Sequence, residues 1–157
     1  MSPVLLTVRD AEAMHALGVR LGGLLRAGDL LVLTGPLGAG KTTLTSGIGE
    51  GLGVRGPVSS PTFVLARTHP SLVGGPPLVH VDAYRLGSAA ELDDLDLDFE
   101  RSAVVVEWGA GLLDGVADSW LEVRIARRDD DSRAVELLAS GPRWSAVDLA
   151  QQDPDAS

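Results

Sequence analysis

One segment of the sequence combines glycines, a lysine and a threonine at a spacing suited to phosphate. Gly35-Pro36-Leu37-Gly38-Ala39-Gly40-Lys41-Thr42 fits the pattern Gly-x-x-x-x-Gly-Lys-[Ser/Thr]. Such glycines let successive backbone N–H groups point at phosphates, and the following helix turns its positive end toward the same anion. Lys41 suits the β- and γ-phosphates, and the Thr42 hydroxyl suits Mg²⁺. The segment predicts a binding loop for a nucleoside triphosphate with magnesium.

The alternative is a glycine-rich turn that matches by accident. The chain has 19 glycines but only one lysine, Lys41. Random placement would give the pattern in roughly one such chain in several hundred, before a strand and a helix are required on either side. Both elements are predicted here, which favours the phosphate-binding interpretation.

Two carboxylates follow apolar runs that predict buried strands. The runs are Leu78-Val79-His80-Val81-Asp82 and Ala103-Val104-Val105-Val106-Glu107. In a parallel sheet both carboxylates would emerge at the carboxyl edge, where ligands of α/β folds bind. The residues alone leave open which would hold Mg²⁺ and which would orient water, and each could instead be a solvated strand end.

Nearby residues admit simpler interpretations. His80, within an apolar strand, is better explained as a hydrogen-bonded structural histidine than as a proton shuttle. Trp108 could stack on adenine or fill a gap. The acidic run Asp93–Asp98 indicates a solvated face, because it lacks the glycine and terminal glutamate of a calcium loop.

The base of the nucleotide is constrained by what the sequence lacks. No asparagine is present, so the Asn-Lys-x-Asp motif that recognises guanine in common GTPases is excluded. The segment Asp82-Ala83-Tyr84-Arg85 also lacks the glycine of the GTPase Asp-x-x-Gly switch. ATP is therefore favoured over GTP.

The predicted elements position the loop between a strand and a helix. Asp10 can cap a helix over Asp10–Ala27 that stops at Gly28. Leu30–Thr34 is a buried strand that leads into the loop. The helix after the loop should end at Gly53, with three apolar residues on one face: Leu44, Ile48 and Leu52.

The remaining segments complete an α/β pattern. Four further features are predicted: a strand around Thr62–Arg67, a loop over His69–Pro77, a helix opened by Ser88-Ala89-Ala90-Glu91, and a hairpin of Leu121–Ile125 with Val135–Ala139 around the spacer Arg127–Ser132. We expect a three-layer P-loop NTPase-like α/β fold. Its central sheet should be mixed and mostly parallel, with helices on both faces and a C-terminal antiparallel edge hairpin.

Composition limits the classes of protein. With 157 residues and 45% hydrophobic content, we expect one domain over 1–150 and a disordered acidic tail over 151–157. The absence of cysteine excludes disulfides, thiolate metal sites and a cysteine nucleophile. No run approaches the roughly 18 apolar residues of a membrane span, and the start lacks a basic leader, which favours a cytoplasmic protein without membrane contact.

The charge balance bears on nucleic acids. The 22 acidic residues against 13 basic ones give a net charge of -9. A surface of this kind repels phosphate backbones, so we expect no DNA binding and no tight unaided RNA binding. Any role in nucleic-acid chemistry should then run through a partner protein.

Four segments together resemble the TsaE family, in the same order and at similar spacing. They are Gly35–Thr43, Ser60-Pro61-Thr62-Phe63, His80-Val81-Asp82-Ala83-Tyr84-Arg85-Leu86 and Val106-Glu107-Trp108. The resemblance implies a bacterial ATPase that acts with the proteins TsaB and TsaD in threonylcarbamoyladenosine modification of tRNA next to the anticodon. It implies contact with tRNA only through that complex.

The resemblance also divides the roles of the site residues. It implies that Thr42 and Glu107 hold magnesium, that Asp82 lies in a switch that senses the γ-phosphate, and that Thr62 faces the nucleotide from a second loop. With Lys41, Asp82 and Thr62 form the expected catalytic set. The expected nucleotide-binding set is Gly35, Leu37, Gly38, Ala39, Gly40, Lys41, Thr42, Thr43 and Trp108.

Two other functions remain open from the sequence. One is a small-molecule kinase that uses the same loop, with Arg127, Arg128 and Arg133 as a phosphate-clamping lid, although Asp129-Asp130-Asp131 in the same segment argues against it. The other is a nucleotide-dependent binding module without useful hydrolysis.

Overall fold

The computed structural model describes residues 4–35, 40–54, 66–82, 101–107, 119–130 and 132–144. The elements in these residues are β1 (Val4–Val8), α1 (Ala11–Leu24), β2 (Leu30–Thr34), α2 (Lys41–Leu52), β3 (Ala66–His69), β4 (Leu78–Asp82), β5 (Ala103–Glu107), β6 (Trp120–Arg127), β7 (Arg133–Ser140) and a 3-10 turn (Pro142–Trp144).

The strands form one mixed sheet in the order β1-β7-β6-β2-β5-β4-β3. Strand β2 is parallel to both β5 and β6, and β4 is parallel to β5, whereas β3 and β7 run antiparallel to their neighbours. The predicted fold class, a mostly parallel α/β sheet of P-loop type, is confirmed. The short apolar runs predicted as β2, β4 and β5 have the predicted bounds.

Both faces of the sheet are covered. Leu31 and Leu33 of β2 belong to the core cluster that includes side chains of α1 and α2. Leu30 and Val32 alternate with them, so they face the opposite side, and they are buried as well. A strand buried on both faces is the reason that β2 reads as a continuous apolar run rather than an alternating one.

Helices α1 and α2 pack backbone against backbone. A Cβ atom added to Gly22 would lie 2.3 Å from the carbonyl oxygen of Ile48, and one added to Gly47 would lie 2.2 Å from that of His15. Two more glycines in this contact show the same close approach: Gly18 and Gly51. The sequence thus has a Gly-x-x-x-Gly pair on each helix, and the absence of side chains allows the close contact.

Helix α1 begins as predicted and ends early. The Asp10 side chain accepts an N–H of the first turn, as the capping prediction requires. The helix stops at Leu24, three residues before the predicted Ala27. Arg143 donates to the Leu24 carbonyl at 2.8 Å and to both carboxylate oxygens of Asp29, at 2.8 and 2.9 Å. A hydrogen bond from a distant arginine, which is itself paired with Asp29, therefore satisfies the last carbonyl of the helix before the predicted glycine stop.

Helix α2 has the predicted bounds. It starts after Gly40, whose φ of 110° lies in the left-handed region, and it ends at Gly53 with φ of 76°. Glycine adopts this backbone conformation without the strain that a Cβ would cause. The three apolar residues predicted to share one face are all buried: Leu44, Ile48 and Leu52.

The C-terminal hairpin is present as β6 and β7, one strand inside the edge of the sheet. Strand β1 pairs with β7, with Val4 opposite Leu137 and Val8 opposite Arg133. Strand β1 was not predicted, and its outward residue Leu5 is 74% exposed. Two interactions hold β1 at the edge of the sheet: Val8 packs in the core, and the strand pairs with β7.

Some predictions fall outside the described residues. The strand predicted around Thr62–Arg67 is described from Ala66 onward, where β3 begins. The helix predicted to open at Ser88 and the tail over 151–157 lie outside the described ranges. Among the helices that the structure describes, none is long and apolar enough to cross a membrane.

The contact between α1 and α2 yields a stability prediction. Gly22→Ala should lower the free energy of unfolding by about 1–3 kcal/mol, because the new methyl group overlaps the Ile48 carbonyl and the helices must separate. The adjacent Gly23→Ala is a matched control, since nothing lies within 4 Å of its added Cβ. It should leave stability unchanged or raise it by up to about 1 kcal/mol. Urea unfolding followed by circular dichroism measures both, and equal midpoints would contradict the packing account.

Candidate nucleotide-binding site

The predicted phosphate-binding loop joins β2 to α2, as the sequence requires. The structure describes its two ends, Gly35 and Gly40, while the predicted loop residues Leu37, Gly38 and Ala39 lie outside the described ranges. The Lys41 ammonium donates to the Gly35 carbonyl at 2.6 Å. Lys41 is 6% exposed, so this cation is held at the end of β2 rather than in bulk solvent. A phosphate group bound here would compete with the carbonyl for the ammonium.

The start of α2 is suited to an anion. Helix α1 is capped by Asp10 and has Glu12 in its first turn, whereas α2 follows a glycine without a side chain and has no acid in its first turn. The N–H groups at a helix start carry a partial positive charge that favours anions. Thr42 is exposed and Thr43 is half-buried, so both predicted threonines lie at this helix end.

A methionine of α1 lies next to Gly40, where the predicted loop ends. A Cβ added to Gly40 would lie 3.2 Å from the Met14 Cε, and Gly40 also needs its positive φ. The positive φ favours glycine at position 40, and the Met14 side chain would have to shift slightly to admit a Cβ there. The apolar spacing of α1 marks Met14 as a core residue, but the sequence gives no signal that it contacts the loop.

The two predicted carboxylates lie in one row at the carboxyl edge of the sheet. Leu33 of β2 pairs with Glu107 of β5, and Glu107 pairs with Asp82 of β4. Neighbouring strands are about 5 Å apart, so the two acidic residues are adjacent across the sheet. Gly35 follows Leu33 by two residues, which places the start of the loop directly beyond this row.

Glu107 is a buried carboxylate with a histidine partner. His80 Nε2 lies 2.8 Å from Glu107 Oε2, and the two side chains are 0% and 5% exposed. The prediction that His80 is a buried, hydrogen-bonded histidine is confirmed, but its partner was not predicted. One indication of this contact was present in the sequence: His80 precedes Asp82 by two residues, so both lie on the same face of β4, which is the strand next to β5.

Two described residues near the loop carry oxygens of the kind that Mg²⁺ accepts. In the part of the chain that the structure describes, no three His, Asp or Glu side chains gather to hold a metal ion. Mg²⁺ commonly takes one or two protein oxygens and completes its shell with waters and phosphate oxygens. Thr42 and Glu107 could supply those two oxygens. Thr62 and Trp108 lie outside the described residues.

Comparison with known proteins identifies the family. A family model described as "Threonylcarbamoyl adenosine biosynthesis protein TsaE" matches residues 8–135. The chain belongs to the TsaE family. The matched range contains Lys41, Asp82, Glu107 and His80, so the described site lies wholly within the family match.

Individual TsaE relatives cover most of the chain. A Streptomyces coelicolor protein is 56% identical over 87% of this chain and 97% of its own length. A Bacillus subtilis protein is 35% identical over 92% of each. Both are named tRNA threonylcarbamoyladenosine biosynthesis protein TsaE. The crystal structure of Bacillus subtilis YdiB aligns with a TM-score of 0.72 at 30% identity, covering 90% of this chain and 87% of that one.

The position of Lys41 at the end of β2 yields a binding prediction. Lys41→Ala should weaken ATP binding by about tenfold to a hundredfold, the range expected for loss of hydrogen bonds to a charged group. Arg26→Ala is the control, because it removes the same charge from an exposed residue at the opposite edge of the sheet. Calorimetry with Mg²⁺ present measures both affinities. Unchanged affinity in Lys41→Ala would refute the phosphate-binding role of the loop.

Proposed function

We propose that this chain binds Mg-ATP in the loop between β2 and α2 and hydrolyses it slowly, in support of tRNA threonylcarbamoyladenosine biosynthesis. The observation that carries the proposal is the single lysine of the chain, buried at the end of β2 and bonded to the Gly35 carbonyl. It lies at the start of an uncapped helix, with a row of two acidic residues on the neighbouring strands. Membership in the TsaE family supports the pathway.

The proposed nucleotide contacts follow from the elements. Backbone N–H groups between Gly35 and Thr43 and the Lys41 ammonium would bind the phosphates. The Thr42 hydroxyl and the Glu107 carboxylate would hold Mg²⁺, which when bound neutralises charge on the phosphate oxygens. Trp108, which follows Glu107 directly, is our proposed adenine contact.

Two further residues are proposed to sense or activate the γ-phosphate. Asp82 ends β4 opposite Glu107, so it stands in the row from which a switch residue could reach the phosphate. Thr62 is assigned to the same function only through the family motif Ser60–Phe63. Both assignments place water activation on groups outside the loop, whereas the loop itself binds the phosphates.

Partner proteins are proposed to supply the tRNA contact. The net charge of -9 disfavours direct binding to a phosphate backbone. We therefore propose that TsaB and TsaD hold the tRNA and catalyse the modification, and that this chain acts on their cycle in the cytoplasm through its nucleotide state.

The hairpin between β6 and β7 disfavours the kinase alternative. The Ser132 hydroxyl donates to Asp130 at 2.6 Å, and this hydrogen bond holds the pKa of Asp130 below its ordinary value. The carboxylate therefore stays ionised beside the hairpin arginines. Arg128 itself donates to the Thr7 hydroxyl at 3.2 Å. A fixed negative charge among the candidate clamp residues opposes the binding of a substrate phosphate.

Substitutions of the two carboxylates should give different phenotypes. Glu107→Ala should reduce the gain in ATP affinity that Mg²⁺ provides, because it removes a metal oxygen. Asp82→Ala should bind Mg-ATP and fail to hydrolyse it. Glu122→Ala is the control, since this glutamate pairs with Arg124 on β6. Magnesium titrations with single-turnover hydrolysis separate the two roles, and the reverse pattern would show that the roles are exchanged.

Turnover in a reconstituted system tests the cellular role. With TsaB, TsaD, threonylcarbamoyl-adenylate and tRNA, addition of this chain and ATP should allow repeated rounds of modification. Lys41→Ala should leave at most one round, and Arg26→Ala should behave as the unmodified chain. The measured quantity is modified nucleoside per assembly over time.

Three outcomes would contradict this role. Full multi-round synthesis without the chain would show that it is dispensable, and tight binding of tRNA by the isolated chain at physiological salt would refute the division of labour with partners. Transfer of the γ-phosphate to a small metabolite would favour the kinase alternative.

A further inference from the structure

His80 and Glu107 form a deeply buried pair near the carboxyl ends of β4 and β5. The imidazole is 0% exposed and the carboxylate side chain 5% exposed, at a distance of 2.8 Å. Burial of a carboxylate is costly unless hydrogen bonds compensate for lost water. His80 supplies such a bond from inside the sheet, so Glu107 can be buried at the edge of the proposed metal site.

The register of the strands determines how the two side chains meet. Within the pairing of β4 with β5, His80 is opposite Val105 and Asp82 is opposite Glu107. His80 thus lies two rows before the one that contains Glu107, and the alternation of side chains places both residues on the same face of the sheet. The Glu107 carboxylate therefore points back along the sheet toward the imidazole, and this hydrogen bond fixes the orientation of the carboxylate.

The chemistry of the pair assigns the proton of the imidazole. An ionised carboxylate only accepts hydrogen bonds, so the Nε2 atom must donate. In the neutral ring Nδ1 then carries a lone pair and no proton. This assignment agrees with the buried Nδ1, for which the described residues provide no hydrogen-bond partner. A proton on Nδ1 would instead leave a buried N–H without an acceptor.

We infer that His80 is a positioning residue for magnesium: it donates from Nε2 to Glu107 Oε2 and holds that carboxylate in the orientation needed at the metal. The inference rests on the proposed function, since it assigns His80 to the same site. A glutamate with a fixed carboxylate loses less conformational freedom when it binds a metal than a freely rotating one. Hydrogen bonds to metal-binding carboxylates typically affect metal affinity by about 10- to 100-fold.

The first test compares two buried histidines. His80→Leu removes the donor, and His69→Leu makes the same change at a buried histidine of β3 that pairs with Leu78, at the far end of β4 from Asp82. The measured quantity is the ratio of ATP affinities with Mg²⁺ and with a chelator. We expect the ratio to fall by about tenfold or more in His80→Leu and to be unchanged in His69→Leu. His80→Gln, which keeps an N–H donor, should recover most of the ratio.

The second test needs neither metal nor nucleotide. The chain has three histidines, so long-range ¹H–¹⁵N spectra of the isolated protein are simple, and the signals of His80 are those lost in His80→Gln. We expect a proton on Nε2, because that atom must donate to Glu107. A proton on Nδ1 alone would overturn the inference, because Nε2 could not then donate. If His80→Leu does not fold, the position of the ring proton in the unmodified chain still tests whether His80 donates to Glu107.

The outcomes separate the inference from the proposed function. An unmodified chain whose ATP affinity does not respond to Mg²⁺ would refute the proposed metal site, and the inference with it. A normal response that persists in His80→Leu would overturn the inference alone. An equal loss in His80→Leu and His69→Leu would also overturn it, because the effect would then reflect general damage to the core.

Discussion

The contact between the backbones of α1 and α2 is the constraint on which the position of the loop depends. Side chains are absent where the helices cross, so carbonyl oxygens of one helix approach the Cα atoms of the other. Because the contact is rigid at this distance, α1 fixes the axis of α2. It also places Met14 against Gly40, where the loop ends. The predicted phosphate-binding loop thus connects a buried strand to a helix whose position is set by its packing on α1.

The same region explains which parts of the fold could be predicted. Strands β2, β4 and β5 are buried on both faces, so each is a largely apolar run with clear ends, interrupted in β4 by His80. Helix α2 has a glycine at each end. Strand β1 and the end of α1 depend instead on residues more than a hundred positions away, namely Leu137 opposite Val4 and Arg143 on the Leu24 carbonyl. No local pattern encodes such contacts.

The site shows the same division between local and distant information. The loop and Lys41 follow from spacing alone, because the chemistry of a phosphate loop lies in consecutive residues. The contact between His80 and Glu107 depends on the order of strands in the sheet, which no local pattern in the sequence reveals. The acidic residues could be predicted at one edge, but the residues alone left their roles undivided. The partner of Glu107 could be identified only from the register of β4 against β5.

Local charge, rather than net charge, decides whether such a chain can hold a triphosphate. A protein with a net charge of -9 repels a polyanion at long range, yet the repulsion is screened over about 8 Å at physiological ionic strength. At the loop the relevant charges are Lys41, the start of α2 and the buried Glu107. Glu107 is of the wrong sign for phosphate and acquires a favourable role only with a cation between them. If the proposed function holds, burial of this glutamate near the loop should make nucleotide binding strongly dependent on magnesium.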